Sequence, residues 1–318
     1  SDFLLNETMA QLQLAMFGLS KEFEERTNLK MRRGLSGLEQ NGSIRKLAFE
    51  LLEETKKSNG PLSEILNERI PDTDTEKYGN ALIFMFAGHD TTGLTLTWLL
   101  YEISKNREYQ KRLQKEVDSF WSDFENREIK LTDFSRLKFM TRCIMETLRL
   151  WTVVPNGTFR ELIDDDFINV KGKKIKLPKG TRVQINNWNK HRNKELWGDD
   201  VNIFNPDRDF KDIEIWDNKG YAFFNPSSDR FSPFTYSPRD CIGKNFAHME
   251  MRLILLNLLK NFNFYLTKEQ SEVDPLEYSM NNATLAPKDI YRKEKLINNI
   301  IPYRVGMYFN FTPRISKI

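Results

Sequence analysis

Residues 76–104 contain no proline and are apolar nearly all round at 81–87 and again at 94–100. One helix over this stretch would be about 43 Å long at ~1.5 Å per residue. A helix that is apolar on every side is buried, so the rest of the chain must fold around it. A membrane span is the rival reading, but Gly88-His89-Asp90-Thr91-Thr92-Gly93 interrupts the apolar run. A polar island inside a buried helix must find partners, and that cost calls for a task.

The other elements read around this helix. Residues 7–26 have helical apolar spacing, and 43–57 form a second predicted helix ended by Asn59-Gly60-Pro61. Residues 107–124 read as an exposed helix rich in Lys, Arg and Glu, and 137–150 as a strong helix stopped by Pro155-Asn156-Gly157. The texture then changes. Residues 167–170 and 175–177 flank Lys171-Gly172-Lys173, a hairpin pattern, and 182–188 alternate like a strand. Residues 192–233 are irregular, 245–259 form a last helix, and 262–266 and 305–311 read as short strands.

At 318 residues the chain makes about two domains or one large one. Its net charge of +3 is spread along the sequence, which argues against a nucleic-acid partner held by a basic face. A charged fraction of 29% and a mean hydropathy of −0.59 exclude a polytopic membrane protein. Ser1 runs straight into Phe3-Leu4-Leu5 without initiator Met, signal peptide or anchor, so a start inside a larger protein is expected. Two cysteines, Cys143 and Cys241, cannot make a disulfide scaffold, and a reduced compartment is expected. His89, His191 and His248 are far apart, with no zinc-type spacing. A bound metal would therefore be carried by a single Cys, with a cofactor supplying the other ligands.

Three constellations carry chemistry. Phe234-Thr235-Tyr236-Ser237-Pro238-Arg239-Asp240-Cys241-Ile242-Gly243 leads into the last helix, placing Cys241 near a helix N-terminus and two residues after Arg239. Both features favour a thiolate, whether nucleophile or metal ligand, and a small core residue is the bland alternative. No histidine is marked out as a base for it. Glu146 and Arg149 share one helix face amid Met145, Leu148, Leu150 and Trp151, so an ion pair there is at least partly buried. Such a pair needs further partners, and Arg208 is a candidate. Asp90 and Thr91 form an acid–alcohol pair, either a structural cap or a proton path beside a cavity, where Ala87-Gly88 allows close approach to the backbone.

Taken in order, these motifs resemble those of the cytochrome P450 family. Ala87-Gly88-His89-Asp90-Thr91-Thr92 is similar to the oxygen-activation motif of helix I, Glu146-Thr147-Leu148-Arg149 to the ExxR of helix K, residues 204–210 to the segment completing a Glu-Arg-Arg triad, and residues 234–243 to the haem-binding pattern FxxGxRxCxG. The resemblance implies a mostly α fold with small β-sheets (α+β), lacking its N-terminal region. It would divide into a helical part at 1–155 with helices I, J and K, a small β region at 156–190, a meander and haem-binding loop at 191–240, and helix L with C-terminal strands at 241–318. It implies haem b (iron protoporphyrin IX) with Cys241 as axial thiolate. Phe234 packs beside the thiolate, Gly243 lets the backbone approach, and Arg239 and Arg160 meet the propionates. Asp90 and Thr91 deliver protons, and Glu146, Arg149 and Arg208 lock the proximal core. His89 gains no ligand role, His191 and His248 read as ordinary polar residues, and Cys143 as core.

The implied activity is insertion of one atom of O₂ into an apolar small molecule. Electrons come from an NADPH-cytochrome P450 reductase or a ferredoxin. By analogy the implied location is an endoplasmic-reticulum-type tether. The alternatives are a non-catalytic remnant with impaired haem binding and a thiolate isomerase, which Asp90-Thr91 argues against. Two departures stand out. Ser237 occupies the glycine position of the haem pattern, where a tight turn would strain it. The WxxxR helix of the family's N-terminal part is missing, and Trp188 and Arg192 match its spacing in the wrong part of the chain.

Overall fold

The long helix forms as α1 (Asp74–Lys105), continuous through Gly88 and Gly93. A computed structural model describes residues 50, 53–57, 63, 74–122, 128–211, 214, 228–236, 238–272 and 309–314. The expected helix at 7–26 and most of that at 43–57 lie outside these. Two compact units are present, one of residues 1–90 and 294–304, the other of 91–293 and 305–318. In the first, Lys56 and Glu53 form an exposed ion pair at 3.0 Å. No helix among the described residues is long and apolar enough to cross a membrane.

In the second unit, α2 (Arg107–Ser122) and α3 (Lys138–Leu150) flank a 3₁₀ turn, Leu131–Arg136. Two antiparallel pairs follow. β1 (Thr158–Glu161) pairs with β4 (Arg182–Ile185), and β2 (Asp166–Val170) pairs with β3 (Lys173–Leu177). The hairpin turn is made by Lys171 and Gly172, with φ of 50° and 81°. Short helices α4 (Asn187–His191) and α5 (Lys194–Trp197) precede α6 (Lys244–Asn261), β5 (Phe262–Leu266), α7 (Lys268–Glu272) and β6 (Phe309–Pro313). β5 and β6 pair with Phe264 opposite Phe311. About half helical with small antiparallel sheets, this is the mixed α+β class expected.

Three expectations need correction. The strand at 182–188 stops at Ile185, because the Asn186 side chain accepts the Asn189 N–H and starts α4 there. The helix expected to be exposed, α2, has a buried face of Gln110, Leu113, Gln114, Val117 and Phe120. The polar island is not enclosed. Ala87, Gly88 and His89 are exposed, and burial sets in at Thr92 and holds through Leu94, Leu96 and Leu99.

From there α1 enters the core. Leu96, Leu99 and Ile103 meet Leu113 and Val117 of α2, Met140, Ile144 and Leu148 of α3, and Leu255 and Leu259 of α6. A second cluster is aromatic. Trp98 of α1 stacks on Trp151 at 3.9 Å with planes 3° apart, and Tyr101 meets both edge-on. The Trp151 indole N–H donates to the buried Glu102 carboxylate at 2.8 Å. Burial pushes the Glu102 pKa up, against the pull of Lys105 and Trp151. Buried Gln110 closes the corner by bonding both the N–H and C=O of Phe264, which ties α2 to β5.

Trp98 is fully buried, so Trp98→Ala removes a stacked ring and leaves a cavity. Loss of about 3–5 kcal/mol of stability is expected, read as the shift in urea unfolding followed by circular dichroism.

Candidate functional site

The site is built from the inside outward, beginning with a buried carboxylate. Glu146 and Arg149, on successive turns of α3, both have zero exposure. They pair fork to fork, with Nε on Oε2 and Nη2 on Oε1, each at 2.7 Å. Arg208 Nε reaches Glu146 Oε1 at 3.2 Å, and the Asn205 N–H donates to the same oxygen at 2.9 Å. The two guanidinium groups spend their other donors on the meander. Arg149 Nη1 bonds the carbonyls of His191 and Val201, and Arg208 bonds those of Trp197, Asp200 and Ile203. Charges removed from water are tolerated only when so fully partnered. The structure thus brings Glu146, Arg149 and Arg208 together and pins residues 191–208 onto α3.

The meander continues this logic. Glu214 is buried and accepts from Arg230 and from the Lys211 N–H. Burial pushes its pKa up, but Arg230, Ser228 and Lys211 outweigh it and hold the carboxyl below its ordinary value. His191, expected to be an ordinary polar residue, is fully buried, and its Nε2 accepts the Ser232 N–H at 3.2 Å. Burial, with Lys190, Arg149 and Arg192 nearby, keeps the ring neutral.

The cysteine loop hangs from this frame. Lys190 donates to Ser232 Oγ and to the Tyr236 hydroxyl, and that hydroxyl donates to the Ser228 carbonyl. The Cys241 N–H donates to the Phe234 carbonyl at 3.0 Å, closing the loop on itself. Strain was expected at Ser237, which lies outside the described residues. Thr235 instead has a φ of 66°, and its hydroxyl donates to the Arg239 carbonyl at 3.0 Å. A β-branched residue in that region costs of order 1–3 kcal/mol.

Cys241 is a free thiol, exposed on its outer side, just ahead of α6. Its packed side raises the pKa above the ordinary value. The N–H groups of Gly243 and Lys244 and the Lys244 charge pull the other way and are outweighed. The expectation that helix terminus and Arg239 together give a thiolate is therefore corrected. Arg239 is not among the groups acting on the sulfur, and burial wins. Two apolar side chains that the sequence reading passed over follow the cysteine in the chain, Ile242 at 80% and Phe246 at 61% exposure. Their signal was apolar residues one and five positions after Cys241, where a solvated turn and helix start would carry polar ones.

The remaining predicted residues stand as follows. Phe234 is half-buried beneath the loop, and Gly243 is the N-cap of α6, with room for a Cβ only 3.9 Å from Cys241 Sγ. Arg239 is exposed. Arg160 is exposed on β1, its Nη1 on the Phe159 carbonyl. Ala87, Gly88 and Asp90 belong to the first unit and Thr91 to the second. Thr91 is partly exposed, and its carbonyl accepts from Thr95 Oγ1 at 2.8 Å. The Asp90 side chain lies outside the described residues.

A single thiol beside exposed apolar side chains fits a flat, apolar, metal-bearing group that brings its own ligands. Among the described residues no cluster of His, Cys, Asp or Glu could hold a metal ion by itself. The family profile described as Cytochrome P450 matches residues 13–292. The chain belongs to the cytochrome P450 family. It is 35% identical over 233 residues to a Caenorhabditis elegans protein named "Putative cytochrome P450 CYP13A7", covering 73% of this chain and 41% of that one. It is 35% identical over 190 residues to human "Cytochrome P450 4F8", covering 60% of this chain and 34% of the other. The chain thus spans less than half the length of the curated relatives it matches. The P450 family implies a haem cofactor, an oxygenase chemistry and electrons from a redox partner.

Two outcomes are expected. Glu146→Gln leaves two buried guanidinium groups short of their counter-charge, and about 3–5 kcal/mol of stability is lost, measured by denaturant unfolding. The lowered Glu214 pKa gives stability that is complete above the ordinary carboxylate range. That stability is lost as pH falls through the lowered value, on the acid side of the ordinary carboxylate range. Glu214→Gln should abolish that part of the acid sensitivity, read as unfolding midpoint against pH.

Proposed function

We propose that the protein is a haem-thiolate monooxygenase. It inserts one oxygen atom of O₂ into an apolar organic substrate and reduces the other to water with two electrons and two protons. The observation that carries this reading is the exposed Cys241 thiol, held by its own N–H on the Phe234 carbonyl, with exposed Ile242 and Phe246 following it in the chain. Haem b would rest on that apolar face, and when bound it supplies the oxygen-activating redox chemistry that no side chain can supply.

The chain's own residues then divide the work. Cys241 would hold the group through its sulfur, giving up its proton to do so. The backbone N–H groups of Gly243 and Lys244 favour the charged form of the sulfur, though burial outweighs them in the free thiol. Phe234 fixes the position of Cys241 through the loop-closing hydrogen bond. Arg239 and Arg160, both exposed, are the candidates to pair with propionates. Ala87 and Gly88 keep one stretch of α1 free of bulk, and nothing would meet a Cβ at Gly88. Asp90 and Thr91 are the proposed proton donors. Glu146, Arg149 and Arg208 hold the proximal scaffold and touch no reactant. The electron donor is a separate reductase or ferredoxin.

The test is the carbon monoxide difference spectrum of the haem-reconstituted, reduced protein. A red-shifted Soret band typical of thiolate ligation is expected, and Cys241→Ala should lose it. A wild-type protein without that band, or a Cys241→Ala variant that keeps it, would sink the reading.

A further inference from the structure

We propose that His248 is a positioning residue for Cys241, a buried imidazole wedge that sets the height of Phe234 and so holds the cysteine loop in place. Its bearing on haem chemistry rests on the reading of Cys241 given above. Three observations carry the inference. His248 lies on α6, seven residues after the cysteine, with zero exposure. The Phe234 ring packs on it with centroids 5.1 Å apart and planes at 54°. The Phe234 carbonyl accepts the Cys241 N–H at 3.0 Å. Cys241 thus rests on Phe234, and Phe234 rests on His248.

The wedge is itself locked. Arg252, one turn further along α6 and fully buried, donates Nη1 to the His248 carbonyl at 2.9 Å and sits 3.5 Å from Nδ1. A guanidinium offers only donors, so the imidazole nitrogen facing it carries the lone pair and the proton sits on Nε2. Arg252 Nη2 donates to Thr141 Oγ1 at 2.8 Å, and Thr141 in turn donates to the Leu137 carbonyl. The line therefore runs from α3 through Arg252 and His248 to the loop. Across from Arg252, the Glu116 carboxylate of α2 caps α3 by accepting the N–H groups of Phe139 and Met140 and supplies an opposing charge. Burial and the Arg252 charge hold the His248 pKa well below its ordinary value, so no positive charge arises under Phe234. An aliphatic residue would fill the space but offer the Phe234 ring no flat partner to pack on.

Hydrogen–deuterium exchange at the Cys241 amide tests this in the purified protein. His248→Ala should speed exchange at Cys241 by about tenfold, with α3 amides unchanged to within about twofold. Phe234→Ala should do the same. His248→Phe, which restores a ring, should bring Cys241 back to within about twofold of wild type. Unchanged Cys241 exchange in the folded alanine variants overturns the proposal, and so does a His248→Phe variant that behaves like alanine. If His248→Ala does not fold, Phe234→Ala and His248→Phe decide the matter. Exchange is read without haem, so a wild-type protein lacking the thiolate band would sink the proposed function and leave this test standing. Where the band forms, its intensity should fall in His248→Ala and return in His248→Phe, which a loss of global stability alone would not produce.

Discussion

Everything described in the second unit leans on a carboxylate that water cannot reach. Glu146 would be intolerable alone, since desolvating one ion costs several kcal/mol. It persists because Arg149 grips it with two parallel bonds and Arg208 and the Asn205 N–H both donate to its Oε1. The consequence is topological. Each arginine has donors left over, and backbone carbonyls between His191 and Ile203 accept them. An irregular stretch with little regular hydrogen bonding of its own is thus held by side chains reaching out of α3 and the meander. A hydrophobic replacement could match the volume but not supply those bonds.

From that anchor the loop bearing Cys241 is reached by two routes. One passes through the meander, from the buried His191 to the Ser232 N–H and from Lys190 to Tyr236. The other passes through α3 itself, from Thr141 to Arg252 on α6 and then to His248 and Phe234. The first ends on polar atoms of fixed geometry, the second on a ring contact whose histidine is held in place by Arg252. That matters for a loop with a residue at φ 66°, whose strain persists only where the surroundings over-determine it.

Much of this was legible in the sequence because the motifs impose their own spacing. The helical period fixed α1, α3 and α6, and the i, i+3 spacing of Glu146 and Arg149 put them on one face before any fold was known. The pairing with Arg208 rests on residues far apart in sequence, and the need of a buried pair for further partners, together with the resemblance, pointed to it. Less visible were features set by context. Asn186 ended a strand that its neighbours would have continued, because its side chain suited a cap. His191 and His248 read as ordinary polar residues, since nothing local shows that Ser232, Phe234 and Arg252 will enclose them. The polar island of α1 was expected to be enclosed because burial was inferred from flanking apolar residues, yet exposure depends on what packs opposite.

The electrostatics of Cys241 bear on which chemistry the site can support. A nucleophilic cysteine needs its pKa lowered and a base beside it. Here the packed side of the thiol outweighs the two N–H groups and Lys244, and the pKa moves up. The imidazole packed under Phe234, His248, faces a guanidinium. A metal cation changes that balance, because it competes directly with the proton for the sulfur lone pair and makes the thiolate the bound form. The same N–H groups that fail to ionise the free thiol would then stabilise the ligated sulfur. This balance is in keeping with the proposed role of Cys241 as a sulfur ligand to a group that brings its own positive charge.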